Sequence, residues 1–201
     1  DILVTYALAG LVIFPFRKID WRAQVAVGVA VLAGLLAFNL FEAQELAAMH
    51  AAATAPGATP AALKAWQEAA QLVAPSAELK TQELAGFRGG FMDALQVRAQ
   101  VARLQQMYMM PTSEIPEAIG QMFLGMALFR RGFFTLGWSN RGYLTMIAIG
   151  YLLAAPATAW TTWMIQQSGF EPLTLNRLEA WQQISRPLIG LAHASVILML
   201  V

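Results

Sequence analysis

From Ala23 to Phe41 the chain passes nineteen consecutive positions without one charged side chain, and that run restricts the fold more than any other feature. A helix needs about 20 apolar residues to cross the hydrocarbon of a bilayer. Four further runs have the same character. They are residues 2–16, which contain Pro15 and are followed by Arg17 and Lys18; about 116–134, with Arg130 and Arg131 near the end; 143–165 (YLTMIAIGYLLAAPATAWTTWMI); and 187–201. In lipid each backbone N–H and C=O must be satisfied without water, which leaves only helices and closed barrels, and runs this long select helices. The expected fold class is all-α: a polytopic transmembrane helix bundle with amphipathic interfacial helices, forming a single membrane domain over residues 1–201.

Composition agrees. Of 201 residues 58% are apolar and 12% charged, against roughly 25% charged in an average soluble domain. Disordered, collagen-like and nucleic-acid-binding chains are excluded, and the first expected partner is the lipid bilayer. There is no Cys, and His50 and His193 stand far apart in the sequence, so no disulfide, thiol nucleophile or metal centre is expected. No P-loop, dinucleotide fingerprint, HExxH or nucleophile elbow is present.

The first and last runs hold fifteen residues each, about 22 Å of helix against a core of about 30 Å. The chain also begins with Asp1 rather than Met. Both points lead us to expect an internal portion of a larger protein, whose remaining transmembrane helices would be further partners. No cationic n-region precedes the first run, which argues against a signal peptide.

Orientation follows from short loops, where Lys and Arg collect on the cytoplasmic side. Residues 17–22 and 130–141 together carry six basic residues and one acid, whereas the rest of the chain carries seven basic and eleven acidic. These two loops are expected to face the cytoplasm of a bacterial inner membrane, with 42–114 and 166–186 extracytoplasmic. Trp21 and Trp138 beside the inner loops, and Trp160, Trp163 and Trp181 on the other side, fit interfacial anchors.

The 42–114 segment is too polar to cross and too long for a plain loop. Thr59 before Pro60 predicts an N-cap and a helix to about Val73, and Pro75 with Ser76 restarts the chain. Leu84, Phe87, Phe91, Ala94, Val97, Val101, Leu104 and Tyr108 recur at three- or four-residue steps, the pattern of an amphipathic helix resting in the interface, bent at Gly86, Gly89 and Gly90. A shorter stripe, Leu175, Leu178, Trp181 and Ile184, precedes the last span. Pro156 is expected to kink the fourth span. Small residues predict packing ridges at Ala26, Ala30 and Gly34 and at Gly150, Ala154 and Thr158.

Polar groups in apolar spans are the first place to seek chemistry, because each costs a few kcal/mol unless paired or hydrated. His193 is the one ionisable side chain expected deep in the bilayer that is neutral at little cost near pH 7. It reads either as a general base or as a hydrogen-bonded structural residue. Asp1 stands at the outer end of the first span. Glu117 and Gln121 fall in the first turns of the third, where a carboxylate is favoured by the helix dipole. Arg130 and Arg131 read as topogenic charges, or as a basic pair holding the phosphates of an acyl donor or an anionic lipid. His50 reads as solvated, and Met107, Met109 and Met110 as an apolar helix end.

Three segments carry a resemblance. DILVTYALAGLVIFPFR, ELAGFRGGFMDALQVR and IGQMFLGMALFRRGFF, in this order and spacing, resemble the middle of the YeiB-like family of bacterial inner-membrane proteins, which carries a domain of unknown function. The Ala-rich stretch near 46–74 matches least. The family is similar, at a greater distance, to membrane acyltransferases. The resemblance implies a membrane enzyme that modifies an envelope molecule, with acyl-CoA as donor and a basic cytoplasmic mouth for its phosphates. The contrasting class is a transporter or lipid-handling protein without covalent chemistry, for which no internal repeat is visible. Asp1, Tyr6, Arg88, Gly89, Gly90, Gly125 and Met126 match recurring family positions. The resemblance carries over no catalytic residue; by their places in or beside the apolar spans Asp1 and His193 are the candidate catalytic residues, with Arg88, Arg130 and Arg131 the candidate substrate-binding ones, and His193 belongs to no family motif.

Overall fold

The computed structural model describes residues 2–200, and among them every regular element is a helix. Helix α1 (Ile2–Ile13) runs into a tight turn at Phe14–Lys18, started by Pro15. Helix α2 (Trp21–Thr54) follows, its first free amides met by Asp20, whose carboxylate accepts from Arg22 N at 2.8 Å. Then come α3 (Pro60–Val73), α4 (Ala77–Arg88), α5 (Phe91–Leu104) and α6 (Ile115–Arg130). Helix α7 (Asn140–Ala148) continues through a wide turn at Ile149–Ala154 into α8 (Ala155–Gln167), and α9 (Pro172–Leu200) ends the described chain.

Among the described residues three helical stretches are long and apolar enough to cross a membrane: α2, the Asn140–Gln167 run and α9. They contain the expected spans 23–41, 143–165 and most of 187–201. Helices α1 and α6, at 12 and 16 residues, are shorter than the runs 2–16 and 116–134 from which they were expected. Pro15 tightens the end of the first. The second ends at Arg130, and Gly132 (φ 79°) turns the chain away.

Helix α2 does not stop at Phe41. No Pro or Gly interrupts residues 35–54, and the Ala-rich sequence there has high helix propensity. Its 34 residues make a rod about 51 Å long. The expected amphipathic helix over 84–108 is instead two helices. Gly90 N donates to Asp93 at 2.9 Å to start α5 afresh, and a Cβ on Gly89 would lie 2.6 Å from the same carboxylate. The caps at Thr59 and Ser76 are formed as expected, accepting from Ala62 N and Leu79 N at 3.2 and 3.3 Å. The stripe at Leu175–Ile184 is part of α9, which passes through Pro187 unbroken. Before Pro156 the helix loosens into the wide Ile149–Ala154 turn, and Pro156 falls in the first turn of the α-helix that follows.

The bundle is organised around α2 and α6, which cross where two glycines meet. A Cβ on Gly28 would stand 2.9 Å from the Gly120 carbonyl oxygen, and one on Gly120 would stand 3.3 Å from Gly28 O and 2.7 Å from Leu32 Cγ. Backbones this close are the means by which membrane helices gain dispersion contact in the absence of a hydrophobic drive. The inward face of α2 is Gln24, Gly28 and Leu35; the expected ridge of Ala26, Ala30 and Gly34 is exposed. The second expected ridge is present. Gly150 and Ala154 are buried, and Gly150 meets Ala192 and the Leu188 carbonyl of α9.

Polar side chains hold the second half together. Gln182 donates to Thr161 at 3.0 Å, Thr158 to Ser185 at 2.6 Å and Asn39 to Gln183 at 3.2 Å, joining α8, α9 and α2. Large apolar side chains point outward: Leu11, Leu152 and Ile197 are 73%, 72% and 62% exposed. The interior mixes Ala, Gly, Ser, Thr and Gln with a few large side chains such as Phe123 and Phe133, and so wide an oily exterior is what lipid tails solvate.

Candidate functional site

The joint of α1, α5 and α6 is where polar chemistry collects. Between Leu104 and Ile115 the helix does not break but widens into π winding over Gln105–Glu114, with Pro111 inside it. Proline lacks the N–H that α winding would use, and the wider ladder accommodates its absence. Such stretches recur at functional sites. Here the winding has a definite result. Gln105 and Glu114 are nine residues apart and would lie on opposite faces of an α-helix, whereas the i→i+5 pattern brings them onto one, where the Gln105 amide donates to Glu114 Oε1.

The other oxygen of Glu114 accepts from Thr5 Oγ1 of α1 at 3.1 Å. Thr5 is 3% exposed. One turn into α6, Gln121 donates to Glu117 Oε1 at 2.8 Å, an i, i+4 pair. These groups line a cavity of about 360 Å³ together with Ile2, Tyr6 and Ala118. Its size lies at the lower end of the range for small-molecule sites, and its polar groups converge from three segments. Both Glu114 oxygens are engaged by neighbouring side chains. Glu117 has one oxygen held by Gln121, and among the described residues no donor is bonded to the other. The arrangement can accept hydrogen bonds from hydroxyl or amino groups and can take up a proton from one of them.

Other candidates lie elsewhere. His193 is exposed on α9; its Nδ1 donates to the Ile189 carbonyl at 2.8 Å and its ring stands edge-on to Tyr151. It lines neither this cavity nor any polar cluster. Arg130 is occupied structurally. Its guanidinium donates to Ile19 O at 2.6 Å and Arg17 O at 3.0 Å, tying the end of α6 to the turn before α2. Arg131 lies 4.8 Å from the Trp21 ring, and its carbonyl accepts from Trp138 Nε1. Arg88 is exposed in the last turn of α4. Arg130 and Arg131 thus stand together at the end of α6, each engaged with the turn before α2 or its first residue, and Arg88 lies on a separate helix. Asp1 lies outside the described residues. Among the described residues no group of three His, Cys, Asp or Glu is placed to hold a metal.

Two smaller polar contacts flank the site. Tyr108, on the same wide stretch, donates to Glu42 of α2, and that bond, with partial burial and the neighbouring negative charge, pushes the phenol up to about 12. Beyond the end of α8, Glu171 accepts from Leu173 N at 3.1 Å and Thr174 N at 2.7 Å, capping α9. Burial alone would raise its pKa, but the bonds from Thr174 and Leu173 and the charge of His50 outweigh it and hold the carboxyl below its usual value.

No protein-family model, curated protein or solved structure matches the chain. Sequence reasoning found Glu117 and Gln121 but missed Thr5, Gln105 and Glu114. Only Pro111 inside a helical stretch hinted at irregular winding there.

Proposed function

We propose that this chain belongs to a multi-spanning bacterial inner-membrane protein of the YeiB-like kind, and that its polar cavity receives the hydroxyl- or amine-bearing acceptor of an acyl transfer. The observation that carries the reading is the Glu114–Glu117 cavity. Two carboxylates are held in a membrane bundle at different levels of saturation, Glu114 by Thr5 and Gln105 and Glu117 by Gln121 alone. A carboxylate fixed on both oxygens orients a ligand, and one with a vacant oxygen takes a proton.

In this reading the acyl end of a cytoplasmic thioester donor such as acyl-CoA reaches the cavity through the bundle, and the acceptor O–H or N–H gives its proton to Glu117 as its heavy atom bonds to the acyl carbon. The C–S bond breaks, and the thiolate takes up the proton held by Glu117, which restores the carboxylate. The loops at 17–22 and 130–141 face the cytoplasm and the 42–114 and 166–186 segments face outward, which puts the cavity on the envelope side. In this reading Glu117, which lines the cavity, takes the role of base.

The test is mass spectrometry of envelope lipids and glycans from cells carrying the intact gene, a deletion, or Glu117→Gln. Loss of one acyl modification in both altered strains is expected. If the deletion changes no acylation but leaves an unmodified small molecule accumulated, the protein moves its ligand rather than modifying it.

A further inference from the structure

We propose that the cavity between α1, the wide Gln105–Glu114 stretch and α6 is a site for a primary ammonium, so that the acceptor it takes is an amine and not a simple alcohol. The assignment rests on the reading of this cavity given above and narrows it.

Charge is the first ground. The cavity of about 360 Å³ is walled by three segments, with Thr5 and Tyr6 from α1, Gln105 and Glu114 from the wide stretch and Glu117 and Gln121 from α6. Two of these bring carboxylates, and among the described residues no Lys, Arg or His lines the cavity. The one ion pair among the described residues, Lys64–Glu68, lies on α3. The donors that the two carboxylates do have, from Thr5, Gln105 and Gln121, are all neutral. Uncompensated carboxylates in a partly buried site of a membrane bundle draw in a cation and repel phosphate or carboxylate ligands.

Hydrogen-bond capacity selects the kind of cation. Both Glu114 oxygens are taken. The second oxygen of Glu117 and the side-chain carbonyls of Gln105 and Gln121 accept from no donor among the described residues. Three open acceptors match the three N–H donors of a primary ammonium, whereas a hydroxyl brings one. A quaternary ammonium brings none and is held instead by a cage of aromatic faces; among the described residues Tyr6 is the one ring that lines this cavity. The second N–H of each glutamine amide also stays open, and it suits an oxygen close to the amine, as in an amino sugar or the ethanolamine headgroup of a phospholipid. Bound as an ammonium, the acceptor first releases one proton to solvent by way of Glu117, which frees the nitrogen lone pair for the transfer described above.

The experiment is isothermal titration of the full-length protein in nonionic micelles at fixed ionic strength, with two matched pairs of probes. Glucosamine is compared with N-acetylglucosamine, and lysophosphatidylethanolamine with lysophosphatidylcholine. In one pair the primary amine should bind at least tenfold more tightly than its partner, the scale of one lost hydrogen bond to a charged group; the sugar pair would identify a free amine and the lipid pair a headgroup. Glu117→Gln should remove that preference. Equal binding within both pairs by the wild type would overturn the proposal whether or not the variant folds, and so would tighter binding of magnesium chloride than of either amine, which would assign the carboxylates to a metal. Amine binding with no acyl modification lost on deletion of the gene would uphold the ammonium site and remove the transfer. An acyl modification lost from a hydroxyl, with no amine bound, would do the reverse.

Discussion

Replacing Gly28 with Ala adds one methyl group at the place where α2 and α6 approach most closely. That methyl would sit 2.9 Å from the Gly120 carbonyl oxygen and 3.0 Å from Leu124 Cδ2. Leu124 can turn aside, but the carbonyl belongs to the helix, so the two backbones must separate. Overpacking of this kind costs about 1–3 kcal/mol. The helix-propensity gain of Ala over Gly, up to about 1 kcal/mol in water, offsets only part of it. Gly34→Ala is the matched control, since its methyl meets nothing within 4 Å; it should be neutral or mildly stabilising. Ala30→Leu separates the structure from the sequence pattern, because Ala30 lies on the ridge expected from small-residue spacing yet is exposed. It should be tolerated. The assay is denaturation of the purified full-length protein in mixed micelles, followed by loss of helicity. Equal stability of Gly28→Ala and Gly34→Ala, or a larger loss from Ala30→Leu than from Gly28→Ala, would show that the α2–α6 crossing has been assigned to the wrong face.

Other outcomes follow from the same geometry. Thr5→Val should destabilise the α1–α6 joint by about 1.5–3 kcal/mol, the range for a lost hydrogen bond to a charged group, and the fluorescence of a probe at Tyr6 should report a loosened cavity. Arg130→Lys should fail to replace Arg130, since one ammonium cannot span two carbonyls as the planar fork does; hydrogen exchange in the turn before α2 would show it. Glu171 has a folded pKa below its ordinary 4.5, so its contribution to α9 is complete above that value and is lost as pH falls through the lowered one. Glu171→Gln should cost about 1 kcal/mol at neutral pH and much less in acid, measured as exchange at Thr174. Cysteines placed at Ala58 and Ser139 of the full-length protein should be labelled by an impermeant reagent from opposite sides; labelling from one side would defeat the orientation.

How legible this was in the sequence depended on what kind of information each feature needed. Three of the five expected spans were readable because length and the absence of charge are properties of a segment alone. The caps at Thr59 and Ser76 were readable because a hydroxyl before a helix acts on its own neighbours. Facing was not. In lipid both sides of a span are apolar, so periodicity that would orient a helix in water gave Ala26, Ala30 and Gly34 as readily as the true face of Gln24 and Gly28. The site divided the same way. Glu117 and Gln121 form a local i, i+4 pair and were visible. Gln105 meets Glu114 only through a change of winding, and Thr5 reaches Glu114 across 109 positions of chain. His193 stood out by its rarity in an apolar run, a property that does not say which way a side chain points.

The length of α2 has a mechanical consequence. Its 34 residues outreach the hydrocarbon by about 21 Å, and α3 leans on the far end, where the Trp66 ring stands 4.6 Å from that of His50. Between Gly28 and His50 the rod rises about 33 Å and is braced midway, where Asn39 donates to Gln183 of α9. A tilt of about five degrees at the glycine crossing would carry His50 about 3 Å and would have to drag α9 with it.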